Sequence, residues 1–392
     1  MAKTVWLCGA GAVGGQTLLL LAQREGIDRI VLSGRDEALG QFKARVAALG
    51  SVIQGLTRTC EFVKNDVRDL DATARLLDRI KPDVVLLALS THAPGFIGTM
   101  ALPRDVHSSF AVAGFGAQLP WHLLLPARFM QALAKSGVAT QVINASFPDV
   151  VNPALWKHFG FGPTVGVGNI DNLAARIIER ISVAEGVAVG EVHLSFIGSH
   201  ALAAHGATAG VPYFLKIYVA GRDVTERHDI NALLLKPASN QSLASQLSHT
   251  WPYTNHLTAA SAAKTILAIL HNSNQYTQAA APNGLIGGYS VRLNARGAEV
   301  ILPEGLSLEA AVQINQAAER FDGIERIEAD GTVVYTDKTY LTMKSLGYDC
   351  KALTFDALDA RASELELVLA KLRKLQEMFG LHHPTSAHRP MP

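Results

Sequence analysis

Three glycines near the start of the chain have the spacing of a phosphate-binding loop. Residues 9–14 are Gly-Ala-Gly-Ala-Val-Gly, between a β-branched apolar run, Thr4–Cys8, and an apolar helix predicted over Gly15–Arg24. In a strand–loop–helix context, the first glycine allows a tight turn, the second lets the backbone approach a pyrophosphate, and the third lets helix and strand pack closely. Without that context the motif would be an ordinary glycine turn. Here we expect a dinucleotide, held at the helix N-terminus by Gly9, Gly11, Ala12, Val13 and Gly14.

The residues after the second predicted strand bear on which dinucleotide binds. That strand, Arg29–Leu32, is followed by Ser-Gly-Arg-Asp at positions 33–36. An NAD site places a carboxylate about 20 residues after the glycines, where it binds the ribose hydroxyls. Here Ser33 takes that position, and the guanidinium of Arg35 can bind a 2′-phosphate through two parallel hydrogen bonds. Asp36 is expected to cap the next helix. The pattern therefore predicts NADP.

The elements that position this loop alternate between strands and helices. Such alternation implies βαβ units and a parallel sheet covered on both faces, so residues 1–150 are predicted to form a doubly wound α/β domain of the Rossmann type. The predicted strands are Thr4–Cys8, Arg29–Leu32, Glu61–Val63, Val84–Leu89 and Thr140–Ile143. The predicted helices are Gly15–Arg24, Asp36–Leu49, Leu70–Ile80 and Leu119–Ser136. Further cofactor contacts are expected where the fourth and fifth strands end, at Leu89, Ser90 and Asn144.

The second half of the chain mixes strands and helices without that regularity. It is predicted to form an α+β catalytic domain over residues 151–379, followed by a disordered tail at residues 380–392. Predicted strands are Glu191–Gly198, Tyr213–Val219, Ser290–Asn294 and Glu299–Leu302. Predicted helices are Asn172–Val183, Leu243–Leu247, Ser261–Asn272, Ser307–Phe321 and Phe355–Phe379. The last, charge-laced helix is interpreted as a cover or an oligomer contact.

Composition excludes several function classes. The chain has 392 residues, 48% of them apolar, with a formal net charge of +1 and no block of Lys or Arg. A nucleic-acid binder would need such a block to neutralise phosphates. The longest apolar run near the start, Leu18–Ala22, is far shorter than the ~20 residues of a membrane span and lacks the features of a signal peptide. Three scattered cysteines are typical of a reducing compartment, so a cytoplasmic protein is expected.

Residues downstream of the fifth predicted strand follow an ordered pattern. Asn144 is followed by a proline four residues later; residues 165–172 are VGVGNIDN, before a helix that contains Arg176; residues 197–200 are IGSH. This order resembles the lactate/malate dehydrogenase family, whose members place an Asn-Pro pair, then G-x-G with N-L-D and a helical arginine, then I-G-x-H-G. The resemblance spans about residues 4–325 and leaves the rest of the chain as an extension.

The resemblance implies roles for three side chains. It makes His200 the acid/base at the substrate oxygen, a task that suits imidazole because its unperturbed pKa lies near neutrality. It makes Asp171 the carboxylate that orients this histidine, and Asn144 a hydrogen-bonding partner of the reacting oxygen. Each role has an alternative. His205 is a rival to His200, which could instead be a hydrogen-bonded loop histidine, and Asp171 could be a helix N-cap.

The arginines depart from the family's pattern. In the family an arginine three residues after the aspartate binds the substrate carboxylate, whereas here that position is Ala174 and Arg176 lies five residues on. Residues five apart do not share a helix face, so Asn172, four residues before Arg176, could replace the aspartate. The loop after the fourth strand offers only Arg104 to polarise a carbonyl. Arg104 and Arg176 are kept as candidate catalytic residues, and a bulkier, less anionic carbonyl compound becomes an alternative to a simple 2-oxo acid.

The sequence therefore predicts an NADP-dependent oxidoreductase that interconverts a small-molecule carbonyl and an alcohol. A homodimer or tetramer is expected, as in the resembled family. One alternative is an opine- or saccharopine-type imine reductase, whose second strand also favours a Gly-Arg ending. Another is a metal-assisted, NAD-dependent glycosidase, which needs a cysteine ligand after the fifth strand, where neither Cys60 nor Cys350 lies. A third is an NADP-binding protein without catalysis. No metal-ligand set is predicted.

Overall fold

A nine-stranded sheet runs through the centre of the computed structural model, which describes residues 3–94, 96–100, 102–234 and 253–378. The strands of the described residues are β1 Thr4–Cys8, β2 Arg29–Gly34, β3 Thr59–Lys64, β4 Val84–Leu87, β5 Gln141–Asn144, β6 Val165–Gly166, β7 Val192–Ile197, β8 Phe214–Val219, β9 Arg222–Asp223, β10 Gln275–Ala280, β11 Gly288–Asn294, β12 Gly297–Val300, β13 Ile324–Ile327, β14 Val333–Tyr335 and β15 Ala352–Leu353.

The order of the central strands is β3-β2-β1-β4-β5-β6-β10-β11-β12. Strands β1 to β6 are parallel, and β10 to β12 continue the sheet in antiparallel fashion. The first six have the order of a doubly wound nucleotide-binding sheet, in which ligands bind beyond the carboxyl ends of the strands where the order reverses. That reversal lies between β1 and β4. The predicted Rossmann-type α/β sheet is confirmed.

The helices are α1 Ala12–Leu21, α2 Glu37–Ile53, α3 Leu70–Ile80, α4 Arg104–Ala113, α5 Leu119–Ser136, α6 Pro148–Phe159, α7 Asn169–Glu185, α8 His200–His205, α9 Ile230–Leu234, α10 Tyr253–Leu270, α11 Leu308–Glu319, α12 Asp337–Ser345 and α13 Leu358–Met378. The predicted bounds of β1, α3 and α5 match the structure. Asp36 caps α2 as predicted, because its side chain accepts a hydrogen bond from the backbone N–H of Leu39 at 3.0 Å. Helices α4 and α6 were not predicted.

The side chains of β1 alternate between two cores. Val5 and Leu7 belong to the core on one face of the sheet, and Trp6 and Cys8 belong to the core on the other face. Successive side chains of a strand point to opposite faces, so helices must cover both sides of this sheet. Complete burial of all five residues explains why the strand has a continuous apolar sequence rather than an alternating one.

The second half of the chain contributes to the main sheet as well as to two small ones. The small sheets have the strand orders β7-β8-β9 and β13-β14-β15. The hairpin predicted near residues 290–302 is β11–β12, and with β10 it extends the main sheet. The predicted boundary at residue 150 therefore separates strands of one sheet, and the division into 1–150 and 151–379 stays a prediction. The predicted helix at 243–247 and tail at 380–392 lie outside the described residues.

Helix α13 covers one face of the Rossmann-type part. Leu365 and Leu369 are buried in the same core as Trp121 of α5, and Asp359 forms an ion pair with Arg128 of α5. Of the two roles proposed from the sequence, cover and oligomer contact, the packing matches the cover. No helix in the described part of the chain is long and apolar enough to cross a membrane.

Candidate active site

The glycine loop between β1 and α1 is tightly packed at two of its glycines. Gly9 has a φ of +119°, and a Cβ atom on it would lie 2.2 Å from the carbonyl oxygen of Ala88. A Cβ on Gly14 would lie 1.9 Å from the carbonyl oxygen of Gly9. Both positions therefore require glycine, the first for the turn and the second for helix packing. Gly11 differs, because a Cβ there would meet no atom within 4 Å. The space beside Gly11 is open to a ligand.

The N-terminus of α1 is suited to an anion. Gly11 is its N-cap, no side chain caps it, and its first turn has no acidic residue. The first N–H groups of a helix lack partners within the helix, and the helix dipole favours negative charge there. The ammonium of Lys43 adds positive charge beside the loop, where it donates to the carbonyl oxygen of Ala10 at 2.7 Å. The residues present thus fit the pyrophosphate of a dinucleotide.

A cavity of about 330 Å³ lies beside the ends of β1, β2 and β4. Of the cofactor residues predicted from the sequence, those that line it are Gly9, Gly11, Ser33, Arg35, Leu89 and Ser90. The interpretation of Ser33 needs correction. Its side chain is buried and accepts a hydrogen bond from Nε1 of Trp6 at 2.9 Å, so it takes part in packing under the sheet. The last residue of β2, at the edge of this cavity, is Gly34, which has no side chain to repel a phosphate.

A larger cavity of about 940 Å³ adjoins the first one. The two cavities share Gly11, Ala88, Leu89 and Ser90. Among the predicted residues, Ala12, Val13 and His200 also line the larger cavity. A ligand that begins in the small cavity can therefore pass the glycine loop and reach His200.

His200 is held at two points by buried carboxylates. Its Nδ1 lies 2.7 Å from Oδ2 of Asp322, and its backbone N–H donates to Oδ2 of Asp149 at 2.5 Å. Asp322 and Asp149 are both fully buried. With Nδ1–H donated to Asp322, the tautomer and ring orientation of His200 are fixed.

Two aromatic rings flank the imidazole of His200. The ring of Phe115 lies 4.8 Å from it and the ring of Phe147 5.5 Å, centre to centre. Phe147 has a φ of 40°, a left-handed conformation that is costly for a bulky side chain. It persists at the N-cap of α6, where the chain turns from β5 toward Asp149. The strained residue Phe147 is thus one of the two aromatic residues that pack against His200, the predicted acid/base.

His205, the rival named from the sequence, faces the same carboxylate. Its Nε2 lies 3.7 Å from Oδ1 of Asp322, and it lines the larger cavity together with His200. Burial raises the pKa of Asp322, but the two histidines outweigh burial, and the net pKa lies below its ordinary value. Asp322 is therefore ionised at neutral pH, and His200 makes the shorter contact with it.

Further buried ionisable groups lie near Asp322 and His200. Burial, together with Asp149 and Asp322, raises the pKa of Glu319 well above its usual range, which favours the neutral acid. Burial also raises the pKa of Asp149, against the opposing effect of His200. Burial lowers the pKa of His122 to about 3, and its Nδ1 lies 3.1 Å from the hydroxyl of Ser146. Among these carboxyl groups, Asp322 carries the most firmly ionised charge.

The glycines of two loops bring Asp322 under Phe115. A Cβ on Gly114 would lie 2.6 Å from the carbonyl carbon of Asp322, and a Cβ on Gly116 would lie 2.6 Å from its carbonyl oxygen. Gly323, with a φ of +90°, makes an equally close approach to the carbonyl oxygen of Ala113. Backbone thus packs directly on backbone, and no side chain separates the loop from the turn.

Asp171 does not orient His200, contrary to the role implied by the resemblance. Both of its carboxylate oxygens accept hydrogen bonds from Nζ of Lys264 at 2.7 Å, and Thr277 is close by. Asp171 lies in the first turn of α7 and is absent from the described lining of the larger cavity. Asp322 contacts the imidazole in the position that the resemblance implied for Asp171, because the fold brings a distant turn to His200.

Asn144 is engaged within its own loop. Its Nδ2 donates to the carbonyl oxygen of Ser146 and to Oδ1 of Asn152, at 3.0 and 2.9 Å, and its Oδ1 accepts from the N–H of Ser146. The side chain is fully buried and both amide hydrogens are used. Asn144 therefore shapes the turn after β5, and it does not present an amide to a reacting oxygen or to the cofactor.

Neither candidate arginine lines the larger cavity. Arg104 is exposed at the start of α4, and Arg176 is half-buried on α7. Asn172, the proposed substitute for Asp171, does line the cavity. Among the described residues, no group of three or more His, Cys, Asp and Glu is arranged to hold a metal ion.

Sequence reasoning missed Asp322, Asp149 and Phe115. Asp322 directly follows the predicted helix Ser307–Phe321, and 122 positions separate it from His200. Asp149 follows the Phe-Pro pair after the fifth strand, which was the one local signal of a carboxylate near a strand end. Phe115 is one of several aromatic residues of an apolar loop, so nothing in the local sequence marks it.

Comparison with known proteins finds the same fold. The chain is similar to the malate dehydrogenase of Aeropyrum pernix (TM-score 0.58, 19% identity, 81% of this chain and 97% of that one). It is also similar to a lactate dehydrogenase from a Medee basin deep-sea metagenome library (TM-score 0.57, 16% identity, 82% and 96%). A third similar structure is the lactate dehydrogenase of Cryptosporidium parvum complexed with lactic acid and nicotinamide adenine dinucleotide (TM-score 0.54, 19% identity, 82% and 98%). No protein-family model and no curated protein matches the sequence. The chain has the fold of the lactate and malate dehydrogenases.

Proposed function

We propose that the protein is an NADP-dependent oxidoreductase that interconverts a carbonyl compound and the corresponding alcohol, with His200 as the acid/base. The observation that supports it most is the position of His200 on a cavity that adjoins the glycine loop. The fold is shared with a lactate dehydrogenase whose structure contains lactic acid and nicotinamide adenine dinucleotide. In this chain the two cavities would hold the adenosine half and the nicotinamide half of the cofactor.

The residues divide the work in a simple way. NADPH, when bound, supplies the hydride for the carbonyl carbon. His200 gives a proton to the carbonyl oxygen from Nε2 and takes it back in the reverse reaction. Asp322 holds Nδ1–H and stabilises the imidazolium form, while Asp149 fixes the backbone at the start of α8. Phe115 and Phe147 pack against the imidazole and shield part of it from water.

The preference for NADP depends on the end of β2. Arg35 is exposed and lines the small cavity, and Gly34 places no carboxylate at the end of β2. Asp36 and Asp66 also line the cavity, but Asp36 caps α2 and Asp66 pairs with Arg68. Arg68, from the loop after β3, also lines it and lies 3.9 Å from Asp66. A guanidinium beside the ribose favours a 2′-phosphate, whereas NAD gains nothing from it.

An imine reductase is the second candidate. The ionised Asp322 faces the cavity with two histidines and would favour an amine-derived, cationic substrate. Turnover of a ketone only when an amine is present would support this candidate. Turnover of the ketone alone would support the carbonyl reductase.

The decisive experiment is consumption of NADPH by the purified chain with a panel of ketones, aldehydes and 2-oxo acids, each with and without an amine. We expect turnover in the parent protein and its loss in His200→Ala, with NADPH binding retained. Equal turnover by that variant would remove His200 from the mechanism. NADPH binding without turnover of any carbonyl compound would instead favour a protein that binds the cofactor without catalysis.

The chain is further proposed to form a homo-oligomer in the cytoplasm. Helix α2 exposes apolar side chains at alternating steps of three and four residues, the spacing by which helices pack on one another: Leu39, Phe42, Val46, Leu49 and Ile53. A second copy of the same helix would cover this face. Light scattering of the parent and of Phe42→Lys tests this contact, because the variant should have a lower molar mass in solution than the parent. All three cysteines are free, in keeping with a reducing compartment.

A further inference from the structure

The larger cavity combines apolar walls with an acidic group. Apolar side chains that line it include Leu89, Ile97, Phe110, Phe115 and Phe147. Its described ionisable lining residues are Asp322 and three histidines, and none of the described lining residues is a lysine or an arginine. Apolar walls favour an apolar ligand, and the polar groups among them set the ligand's orientation.

A carboxylate would be unfavourable in this cavity. Asp322 is ionised and fully buried, so a second anion beside it would be repelled in surroundings of low dielectric constant. A buried carboxylate also requires a cation or several hydrogen bonds to offset the loss of its hydration. The histidines nearest to Asp322, at 2.7 and 3.7 Å, already face its negative charge. Arg104 and Arg176, which could have neutralised a substrate carboxylate, do not line the cavity.

The remaining polar lining suits an uncharged carbonyl compound. Gln118 is buried at the cavity, and its Oε1 has no hydrogen-bond partner in the described part of the chain. Ser90 and Asn172 add neutral polar groups. The free acceptor of Gln118 can receive the O–H of the alcohol, while amide N–H groups and hydroxyls can donate to the carbonyl oxygen, and neither contact leaves a charge to balance.

We propose that the substrate is a neutral ketone or aldehyde with an apolar chain or ring, and that the cavity discriminates against 2-oxo acids. The inference rests on the proposed function, because a carbonyl group must still meet His200. The proposed substrate therefore differs from the small hydroxy acid that the fold alone would suggest.

The test uses two ketones that differ in a single substituent, which is charged in one of them. They are 4-phenyl-2-butanone and 2-oxo-4-phenylbutanoate, which place a methyl group or a carboxylate on the same carbonyl carbon. Their dissociation constants are measured by calorimetry on the full chain saturated with NADP⁺, which cannot reduce either compound. We expect the neutral ketone to bind about tenfold more tightly or better. Equal or tighter binding of the oxo acid, or no binding of the neutral ketone, would overturn the inference.

A designed cation provides a second test. Asn172→Arg places a guanidinium on the lining, and the ratio of the two dissociation constants should shift by about tenfold toward the oxo acid. The matched control is Ala175→Arg, on the exposed side of the same helix, which should leave the ratio unchanged. A shift of the same size in both variants would show that general charge, and not the cavity, sets the preference, and would contradict the inference.

Turnover with NADPH, measured separately, decides the proposed function. If the neutral ketone binds more tightly but is not reduced, the reaction class fails and the binding preference stands. If the oxo acid binds more tightly and is reduced, the reaction class stands and the binding preference fails.

Discussion

The Nδ1 atom of His200 lies 2.7 Å from Oδ2 of Asp322, a residue 122 positions further along the chain. His200 begins the short helix α8, and Asp322 lies in the turn between α11 and β13. In the proposed mechanism this contact determines which ring nitrogen exchanges a proton with substrate, because the other nitrogen is committed to the carboxylate. Neither residue could perform its proposed role without the other.

Asp322→Asn should therefore abolish most of the activity while the protein stays folded. The amide cannot stabilise an imidazolium, so we expect kcat to fall by about 10²–10⁴-fold, with cofactor affinity retained. Steady-state kinetics and NADPH titration measure both quantities. Asp171→Asn is the matched control, because Asp171 pairs with Lys264, and it should keep its kcat with a lower Tm. The reverse outcome for the two variants would restore the role that the sequence implied for Asp171.

Gly11→Ala and Gly14→Ala should fail in different ways. A Cβ on Gly14 would lie 1.9 Å from the carbonyl oxygen of Gly9, so this variant should lose roughly 2 kcal/mol or more of stability. A Cβ on Gly11 meets no protein atom within 4 Å and its φ of −68° suits alanine, so that variant should stay folded and bind NADPH more weakly. Urea unfolding and cofactor titration distinguish them. Normal NADPH affinity of folded Gly11→Ala would place the pyrophosphate elsewhere.

Arg35→Ser should reverse the cofactor preference. Loss of a charge-assisted contact with the 2′-phosphate should raise the KM for NADPH about tenfold or more and leave the KM for NADH nearly unchanged. The control is Arg45→Ser on α2, an exposed arginine that does not line the small cavity. If the parent protein uses NADH as well as NADPH at equal concentration, the preference for NADP is wrong before any variant is made.

His122 should make the protein sensitive to acid. Its pKa is about 3 in the folded protein against an ordinary value of 6.5, because burial disfavours the charged ring. Between these values the unfolded chain binds a proton that the folded chain does not, so the free energy of unfolding falls as the pH drops below 6.5. The slope should approach about 1.4 kcal/mol per pH unit.

Urea unfolding at pH 7 and pH 5 measures this slope. His122→Gln should reduce it, because glutamine can still hydrogen-bond Ser146 but does not titrate. His193→Gln, at an exposed position on β7, should leave it unchanged. Identical slopes in the parent and in His122→Gln would show that other groups account for the acid sensitivity.

The Rossmann-type part could be predicted because its signals are local. In Thr4–Cys8 the residues from Val5 onward are all apolar because both faces of the strand are buried, and successive side chains enter two different cores. Gly9 and Gly14 are required by contacts with residues that lie close to them in the sheet. The side chain of Asp36 bonds only three residues ahead. Apart from the contact of Gly9 with Ala88 after β4, each physical cause lies within one βαβ unit.

The candidate site could be predicted only in part because its contacts are distant. His200 was recognised from a four-residue pattern, but the carboxylate that orients it belongs to a turn formed by α11 and β13. Asp171 is a carboxylate at the start of the helix where the resemblance implies one, but it forms an ion pair with Lys264, 93 residues away, and not with His200. The side-chain amide of Asn144 is hydrogen-bonded to Ser146 and Asn152. Its place at a strand end could be predicted from the sequence, but this structural role could not.

The direct packing of Gly114 and Gly116 on the backbone of Asp322 has a consequence for biosynthesis. A ribosome that has translated β1 to β6 has already produced the glycine loop, and His200 emerges soon afterwards. Asp322, the carboxylate that contacts His200, is synthesised only in the last fifth of the protein. The loop that carries Phe115 likewise cannot pack against the turn at Asp322 before that point. A nascent or prematurely terminated chain would thus acquire the capacity to hold the nucleotide before it could perform proton transfer.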